Sequence, residues 1–365
     1  MWYTSFVEAL FFFFFTFWGN SIGYLVFPMF STIGYRVAAY RAIMILMIAA
    51  ALLFLTLPTE SLYGSLQQVY QDPHVEAPIP PKTPDTTRSP NRLLVLYTYY
   101  ESDEARENIR FFIEHGLHSA ADFVFIFNGE TDASEMVPRT EPNIRVVSRN
   151  NTCFDLGAMG EVLRSHNLWK KYDRFITMNA SIRGPFLPYW SKNCWSDLYL
   201  DLITDEVKLV GMTVNCSPRY HVQSMIWATD TIGMGLLLDP ELSKPSESDY
   251  WGTPDDGVGL SGCYNEYNQA VHAEIGSTSI ITKAGYKADA MLTSFHKDTD
   301  PETYCASIMP NVQDTLREGA YFGFSVHPYE TIFLKTNRGI SPSLVASFTQ
   351  WSDDMGYSSY ERCKA

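Results

Sequence analysis

The sequence predicts an α/β domain, with a mostly parallel sheet flanked by helices, that follows an N-terminal membrane anchor. From Asn91 onward, apolar runs of strand length alternate with amphipathic helical patterns, which is typical of parallel sheets. No internal repeat is evident in this region. Apolar residues are concentrated before Pro58, whereas all 6 cysteines lie after it. This asymmetry predicts an anchor and then a folded domain.

The composition excludes several classes of protein. The chain has 365 residues, of which 46% are hydrophobic, so it can bury a core and is neither collagen-like nor disordered. It carries 27 Lys and Arg residues against 41 Asp and Glu residues, a formal net charge of −14. Because nucleic acids are bound through clustered cations, we expect no nucleic acid partner.

The predicted anchor is the uncharged stretch 42–58, AIMILMIAAALLFLTLP. Its length of about 17 residues is near the lower limit for a helix that spans a bilayer. Arg36 and Arg41 precede it, and the positive-inside rule then places the N-terminus in the cytosol and the following chain in the lumen. This is a single-pass type II arrangement. The apolar region extends too far from Met1 for a cleaved signal peptide.

An earlier apolar run, Phe6 to Phe30, leaves the number of spans open, because it is either a second span or an interfacial segment. It is interrupted by charged, polar and helix-breaking residues: Glu8, Gly19, Asn20 and Pro28. Residues 59–91 are rich in Pro and Thr and lack apolar periodicity, which predicts an extended stem or a plain linker. The predicted organisation is therefore an anchor region at 1–58, a stem at 59–91 and a folded domain at 92–365.

The elements of the folded domain follow in order. Leu93–Tyr97 is the first strand, and Ser102 caps a helix that ends at Gly116. Further strands are predicted at Asp122–Phe127, Ile144–Val147, Arg174–Met178, Val207–Met212 and Ser224–Trp227. Further helices are predicted at Ala158–Ser165, Thr231–Leu238 and Ser277–Ala284.

Polar and Gly-rich segments follow the predicted strands, where open α/β sheets bind their ligands. These segments are 99–102, 128–130, 149–157 and 179–185. The chain has no GxGxxG, GxxxxGK[ST], HExxH or GxSxG motif. Dinucleotide-binding, P-loop, zinc-protease and α/β-hydrolase sites therefore have no support.

Four blocks, NNTCFDLGA, YDRFITMNASIRGP, HVQSMIWAT and EIGSTSIITKAGY, resemble the rhamnan synthesis F family of glycosyltransferases. The resemblance extends from Leu93 to Leu292 and keeps the order of the blocks. It implies a GT-A-like (Rossmann-like) fold. It also implies a nucleotide-sugar donor, a glycan or glycoconjugate acceptor and, with the anchor and stem, a Golgi or other secretory-pathway location.

Asp155 and Gly157 follow the third strand. Asp155 is a candidate ligand of a ribose or base, and Gly157 lets the backbone approach a ligand. The alternative role of Asp155 is a helix N-cap.

Asn179 and Ser181 follow the fourth strand, where GT-A enzymes usually place a DxD pair that binds a divalent cation. Amide and hydroxyl oxygens are weak ligands for hard cations, so we assign no metal ligand, and dependence on Mn²⁺ or Mg²⁺ stays open. Arg183 could instead neutralise phosphate charge, or be a surface cation. The literal DxD at 298–300 lies beyond the last strand and is interpreted as chance.

Glu274 and His221 are the candidate catalytic residues. Glu274 precedes the predicted helix at Ser277, in a position similar to that of the acceptor-side base of inverting GT-A enzymes. The alternative is a glutamate that interacts favourably with the dipole at the start of that helix. His221 and Gln223 precede an apolar segment and are candidate phosphate or acceptor ligands. The alternative for His221 is a structural histidine.

The C-terminal segment SVHPYETIFLKTNRG supplies three further candidate donor-binding residues: His327, Lys335 and Arg338. Cations here would favour the leaving diphosphate, whereas the alternative is a solvated strand. The loop 250–256 combines two aromatic residues with carboxylates, which suits contact with a sugar or an ordinary loop.

The leading hypothesis is thus a glycosyltransferase. The alternatives are a tethered carbohydrate-binding or inactive scaffold protein and a thiol hydrolase that uses Cys153 with His221. The cysteines are compatible with disulfides whose pairing the sequence does not give. Sequons at Asn150, Asn179 and Asn215 are compatible with secretion.

Overall fold

The computed structural model describes residues 92–297, 300–308 and 314–363. The predicted anchor at 42–58, the apolar run before it and the stem at 59–91 lie outside these residues. Among the described residues, no helix has both the length and the apolar character needed to cross a membrane.

The described domain contains one large sheet and two small antiparallel pairs. The strands are, in chain order, β1 (Leu93–Tyr99), β2 (Ala121–Asn128), β3 (Ile144–Arg149), β4 (Arg174–Asn179), β5 (Ile182–Arg183), β6 (Val207–Gly211), β7 (Val214–Asn215), β8 (His221–Val222), β9 (Ile226–Asp230), β10 (Lys287–Ala290) and β11 (Leu334–Lys335). Among the described strands, 7 form the large sheet, in the order β3-β2-β1-β4-β9-β6-β10. The small pairs are β5 with β11 and β7 with β8.

The predicted mostly parallel sheet is confirmed. Strands β1 to β4 are parallel to one another, and β10 is parallel to β6. β9 is antiparallel to both of its neighbours, β4 and β6. The predicted strand at Ser224–Trp227 is therefore the start of β9, and its direction is reversed relative to the rest of the sheet.

Helices connect the strands and close the C-terminal part. They are α1 (Asp103–His115), α2 (Phe154–Arg164), α3 (Trp195–Leu200), α4 (Thr231–Leu238), α5 (Pro240–Ser243), α6 (Tyr267–Lys283), α7 (Pro301–Ser307), α8 (Pro328–Thr331), α9 (Pro342–Met355) and α10 (Ser359–Arg362), with 3₁₀ turns at Ala133–Met136, Ser165–Lys171 and Thr293–Lys297. The predicted N-cap of α1 is confirmed, since Ser102 Oγ accepts from the Ala105 N–H at 3.1 Å. The predicted helix at Ser277–Ala284 is wrong in its start, because α6 begins at Tyr267.

The central strands of the large sheet are buried on both faces, which explains why they are almost continuously apolar. Every residue of β1 and β2 is buried. Tyr97 packs against Phe112 of α1 on one face, with ring centroids 4.9 Å apart. Leu96, on the other face, belongs to the core cluster that contains Met159 and Leu163 of α2. Helices thus cover both faces, and the polar ends of the strands remain at the edge.

Three disulfides brace the described domain: Cys153–Cys263, Cys194–Cys363 and Cys216–Cys305. The first joins the residue before α2 to the loop before α6. The third joins the β7–β8 hairpin to α7. The thiol hydrolase hypothesis is wrong for this structure, because the Cys153 sulfur is in a disulfide and has no thiolate to attack a substrate.

The packing of α2 can be tested at Gly160. A Cβ at this position would overlap the backbone carbonyl of Leu260, whereas a Cβ at Gly235 of α4 would have only Trp169 atoms nearby, at 3.9 Å. We expect Gly160→Ala to lower the free energy of unfolding by about 1–3 kcal/mol, because backbone atoms must move apart. The matched variant Gly235→Ala should raise it by about 0.5–1 kcal/mol. Chemical denaturation of the full-length chain measures both, and equal effects of the two substitutions would contradict this packing.

Candidate active site

The carboxyl end of β4 lies where the strand order of the sheet reverses. From β1 the chain crosses to β2 and β3 on one side, whereas β4 pairs with the opposite side of β1. Open α/β sheets bind ligands at such switch points. Asn179 is the last residue of β4, and its backbone N–H donates to the Met225 carbonyl at 3.0 Å. Its side chain therefore stands at the edge where a ligand is expected.

Asp155, Asn179 and Ser181 form one hydrogen-bonded group at this edge. The Asn179 amide nitrogen donates to Asp155 Oδ2 at 2.5 Å. The Asn179 amide oxygen accepts from Ser181 Oγ at 2.6 Å and from the Ser181 N–H at 3.1 Å. The segments that follow the third and fourth strands, which are separate in sequence, thus meet through side chains.

The backbone just before Asp155 is held in a left-handed conformation. Cys153 has φ 68° and Phe154 has φ 49°, values that non-glycine residues rarely adopt. Such residues cost about 1–3 kcal/mol each and persist where their surroundings fix them. The Cys153–Cys263 disulfide and the hydrogen bond from the Cys153 N–H to Asn265 Oδ1, 3.1 Å, provide that restraint. The alternative of an N-cap role for Asp155 does not hold, because Cys153 is the N-cap of α2.

The close approach at Gly157 involves the chain's own backbone. A Cβ at Gly157 would lie 2.7 Å from Cys153 Cβ and 2.9 Å from the Gly262 carbonyl oxygen. The missing side chain therefore lets the loop before α6 pack against α2. This is a different reason for the glycine from the ligand approach that the sequence suggested.

Burial raises the pKa of the Asp155 carboxyl above its ordinary value of 3.8. The hydrogen bond from Asn179 opposes this increase, because it favours the charged form. The negative charge of Glu274 raises the pKa further, and the ammonium of Lys335 lowers it. The Asp155 carboxylate therefore lies within electrostatic reach of both residues, although they belong to distant parts of the sequence.

Glu274 lies in the middle of α6 and faces the segment before β9. Its Oε2 accepts from the Ser224 N–H at 2.7 Å and also from Ser224 Oγ. Its Oε1 lies 3.8 Å from Nε2 of His221, whose Nδ1 is 2.8 Å from the Arg219 carbonyl oxygen. The predicted position of Glu274 before a helix, on which both the base and the helix-dipole interpretations relied, is wrong, because α6 begins at Tyr267.

Lys335 and Arg338 reach the site from the C-terminal segment. β11 pairs antiparallel with β5, which places Lys335 opposite Ile182 and brings its Nζ to 3.2 Å from Ser181 Oγ. Arg338 forms an ion pair with Asp314, whose Oδ1 lies 3.4 Å from the Gln223 amide nitrogen. The charges of Asp155, Glu274, Asp314 and Arg338 all act on the Lys335 ammonium. Predicted residues from five separate segments thus share one site.

Two of the predicted donor-binding residues, Arg183 and His327, make their contacts away from the group around Asn179. Arg183 Nε donates to Asn108 Oδ1 at 2.9 Å, and its guanidinium also contacts Thr349. His327 is the N-cap of α8, where its Nδ1 accepts from the Tyr329 N–H at 3.1 Å. Both side chains therefore support the C-terminal helices in this structure.

The other sequence features lie apart from this group. Asp298 and Thr299 are outside the described residues, and Asp300 caps α7 by accepting from the Thr303 N–H at 2.8 Å. Asp255 and Asp256, from the aromatic loop, line a separate depression of about 330 Å³. The site around Asn179 and Glu274 thus involves neither the literal DxD nor that loop.

Ser224 and Asp314 belong to the site but were not among the predicted site residues. Ser224 lies in the HVQS block, which could have indicated it. It precedes β9, which is antiparallel, so the start of β9 lies at the edge where the neighbouring strands end. Asp314 has no sequence signal, since its position follows from the fold of the C-terminal segment.

No family model matches this chain, so the resemblance to the rhamnan synthesis F family stays a prediction. No curated protein matches either.

Several solved structures of glycosyltransferases are similar to this chain, as the following three show. The mannosyltransferase PcManGT from Pyrobaculum calidifontis, in complex with GDP-Man and Mn²⁺, has 14% identity and a TM-score of 0.35, with 62% of this chain and 60% of that chain covered. The glycosyltransferase GlyE from Streptococcus pneumoniae TIGR4 has 9% identity and a TM-score of 0.37, with 75% and 66% covered. Glucosyl-3-phosphoglycerate synthase from Mycobacterium tuberculosis, with Mn²⁺, UDP and phosphoglyceric acid, has 14% identity and a TM-score of 0.32, with 55% and 68% covered.

We expect Asp155→Asn to raise the melting temperature at neutral pH. Because burial raises the pKa of Asp155 above 3.8, its contribution to stability is present below that pH and is lost as the pH rises through the folded-state pKa. An uncharged amide removes this loss. Thermal melting of the full-length chain from about pH 3 to about pH 8 should therefore show a stabilised variant at neutral pH and a smaller difference in acid.

The exposed Asp354→Asn on α9 is the matched control and should show no such gain. A variant of Asp155 that melts below the wild type at neutral pH would contradict the prediction. It would mean that the bond from Asn179 stabilises the fold by more than burial of the charge destabilises it.

Proposed function

We propose that the chain is a glycosyltransferase that moves a sugar from a nucleoside diphosphate sugar to a glycan or glycoconjugate acceptor. The observation that carries the proposal is the convergence of Asp155, Asn179 and Glu274 with two cations, Lys335 and Arg338, at the switch point of the sheet. A carboxylate and an amide can bind the hydroxyls of a ribose or sugar. Two cations suit a diphosphate, and a second carboxylate can accept a proton.

In the proposed reaction, an acceptor hydroxyl attacks the anomeric carbon of the donor. The bond between this carbon and the phosphate oxygen breaks, and the nucleoside diphosphate leaves with the bonding electron pair. Glu274 takes the hydroxyl proton as the new glycosidic bond forms. Lys335 and Arg338 stabilise the charge that develops on the leaving diphosphate.

The hydrogen bonds of Glu274 support its role as the base. Ser224 donates twice to Oε2, so the orientation of the carboxylate is fixed. Oε1 is the oxygen left to accept a proton, and the neighbouring His221 ring is buried with its own orientation set by the Arg219 carbonyl. We assign the positioning of Glu274 to Ser224, with the His221 ring packed beside Oε1.

We further propose that the protein is a type II membrane protein of the Golgi or another secretory compartment, with the folded domain in the lumen. The anchor at 42–58 is the basis of this proposal. The three disulfides support it, because disulfides persist mainly in oxidising compartments.

The proposed function is tested with Glu274→Gln. The amide keeps the size and the hydrogen-bond acceptor of the side chain but cannot take a proton. Full-length protein should transfer sugar from at least one member of a panel of UDP- and GDP-sugars, and the variant should lose about 10²–10⁴-fold in kcat. Its affinity for the nucleotide, measured by titration calorimetry, should stay unchanged.

The matched control is Glu266→Gln, at the start of the same helix, where the carboxylate is exposed and makes no capping hydrogen bond. This variant should transfer sugar at the wild-type rate. A Glu274→Gln protein with nearly full kcat would remove Glu274 as the base. Failure of wild-type protein to bind UDP or GDP would contradict the proposed function as a whole.

A further inference from the structure

The position that follows β4 does not fit a divalent cation. The Asn179 amide oxygen already accepts two hydrogen bonds from Ser181. The Ser181 hydroxyl proton points to Asn179, so its free lone pairs face the Lys335 ammonium at 3.2 Å. A second positive charge next to this ammonium would be repelled. Among the described residues, neither of the two clusters of metal-ligand type includes a residue of this site.

Lys335 supplies a charge at the place that such a cation would take. Its ammonium has three N–H donors. Within the described residues, one bond is found, to Ser181, and no carboxylate oxygen lies within ion-pair distance of it. The remaining donors are thus available to an anion at the end of β4.

The surroundings of Lys335 indicate why an anion would be favoured there. The side chain is half-buried, and burial lowers its pKa, with the charge of Arg338 acting in the same direction. Asp155, Glu274 and Asp314 oppose this change. A phosphate oxygen placed against the ammonium would favour the protonated lysine.

We propose that Lys335, together with Arg338, replaces the divalent cation and binds the diphosphate of the donor, so that nucleotide binding requires no metal ion. This inference rests on the proposed function and specifies how its donor is held. Arg338 is oriented by its ion pair with Asp314, which Gln223 also contacts. Arg183 is not part of this arrangement, because its guanidinium is bound to Asn108 and Thr349.

The test is nucleotide binding, measured without turnover. Titration calorimetry of the full-length protein with UDP and with GDP is carried out in EDTA and again with Mn²⁺ or Mg²⁺. We expect the Kd of the nucleotide that binds to be the same in all conditions. Lys335→Met, which keeps the apolar stem of the side chain, should raise this Kd at least about tenfold, because charge-assisted bonds to phosphate are lost. Lys335→Arg should restore most of the affinity.

Lys283→Met is the matched control, because Lys283 is an exposed lysine on α6 that pairs with Glu247. It should bind nucleotide as the wild type does. Circular dichroism and melting temperature show whether Lys335→Met folds, and Arg338→Ala, which removes the second cation, tests the proposal if that variant does not.

Three outcomes would overturn the inference. Binding that appears only with Mn²⁺ or Mg²⁺ would overturn it while leaving the proposed function intact. Wild-type affinity in a folded Lys335→Met would do the same, and so would wild-type affinity in Arg338→Ala if Lys335→Met is unfolded. Absence of nucleotide binding in every condition would overturn both the inference and the proposed function.

Discussion

The arrangement of the site depends on the hydrogen bond between the Asn179 amide and the Asp155 carboxylate. This bond joins the end of β4 to the first turn of α2, which follows β3. It also gives a hydrogen-bond donor to the Asp155 carboxylate, whose charged form is disfavoured by burial. Asn179 can donate to Asp155 because its oxygen is held by Ser181, and Ser181 in turn contacts Lys335. One chain of contacts therefore fixes the spacing between an anion and a cation at this edge of the sheet.

Much of the fold was predictable because the central strands are buried on both faces. Their apolar runs are nearly continuous, so β1, β2 and β4 were found within a few residues of their ends. The start of α6 was missed because its first turns, YNQAVH, are largely polar. Their apolar residues do not recur with the period of a helix, so the sequence gives no sign of one. The antiparallel direction of β9 could not be predicted from the apolar pattern either, because strand direction depends on which strands pair and not on residue types.

The candidate site was predictable in part. Asp155, Asn179 and Glu274 were found because ligands bind at strand ends and because these residues lie in three of the four blocks that resemble a transferase family. Asp314 was missed, because its place depends on how a long C-terminal segment folds back over the sheet. The pairing of the cysteines was equally hidden, since it requires three-dimensional proximity between residues that are 89 to 169 positions apart.

The bonds of Asn179 have a consequence for the biosynthesis of the protein. Asn179-Ala180-Ser181 is also an acceptor triplet for N-linked oligosaccharide, and the nitrogen that would carry the sugar is the one that donates to Asp155. In a compartment where such triplets are modified, an oligosaccharide there would occupy the site. In the folded domain this nitrogen is bonded to Asp155, so a chain that folds before modification would keep the site free.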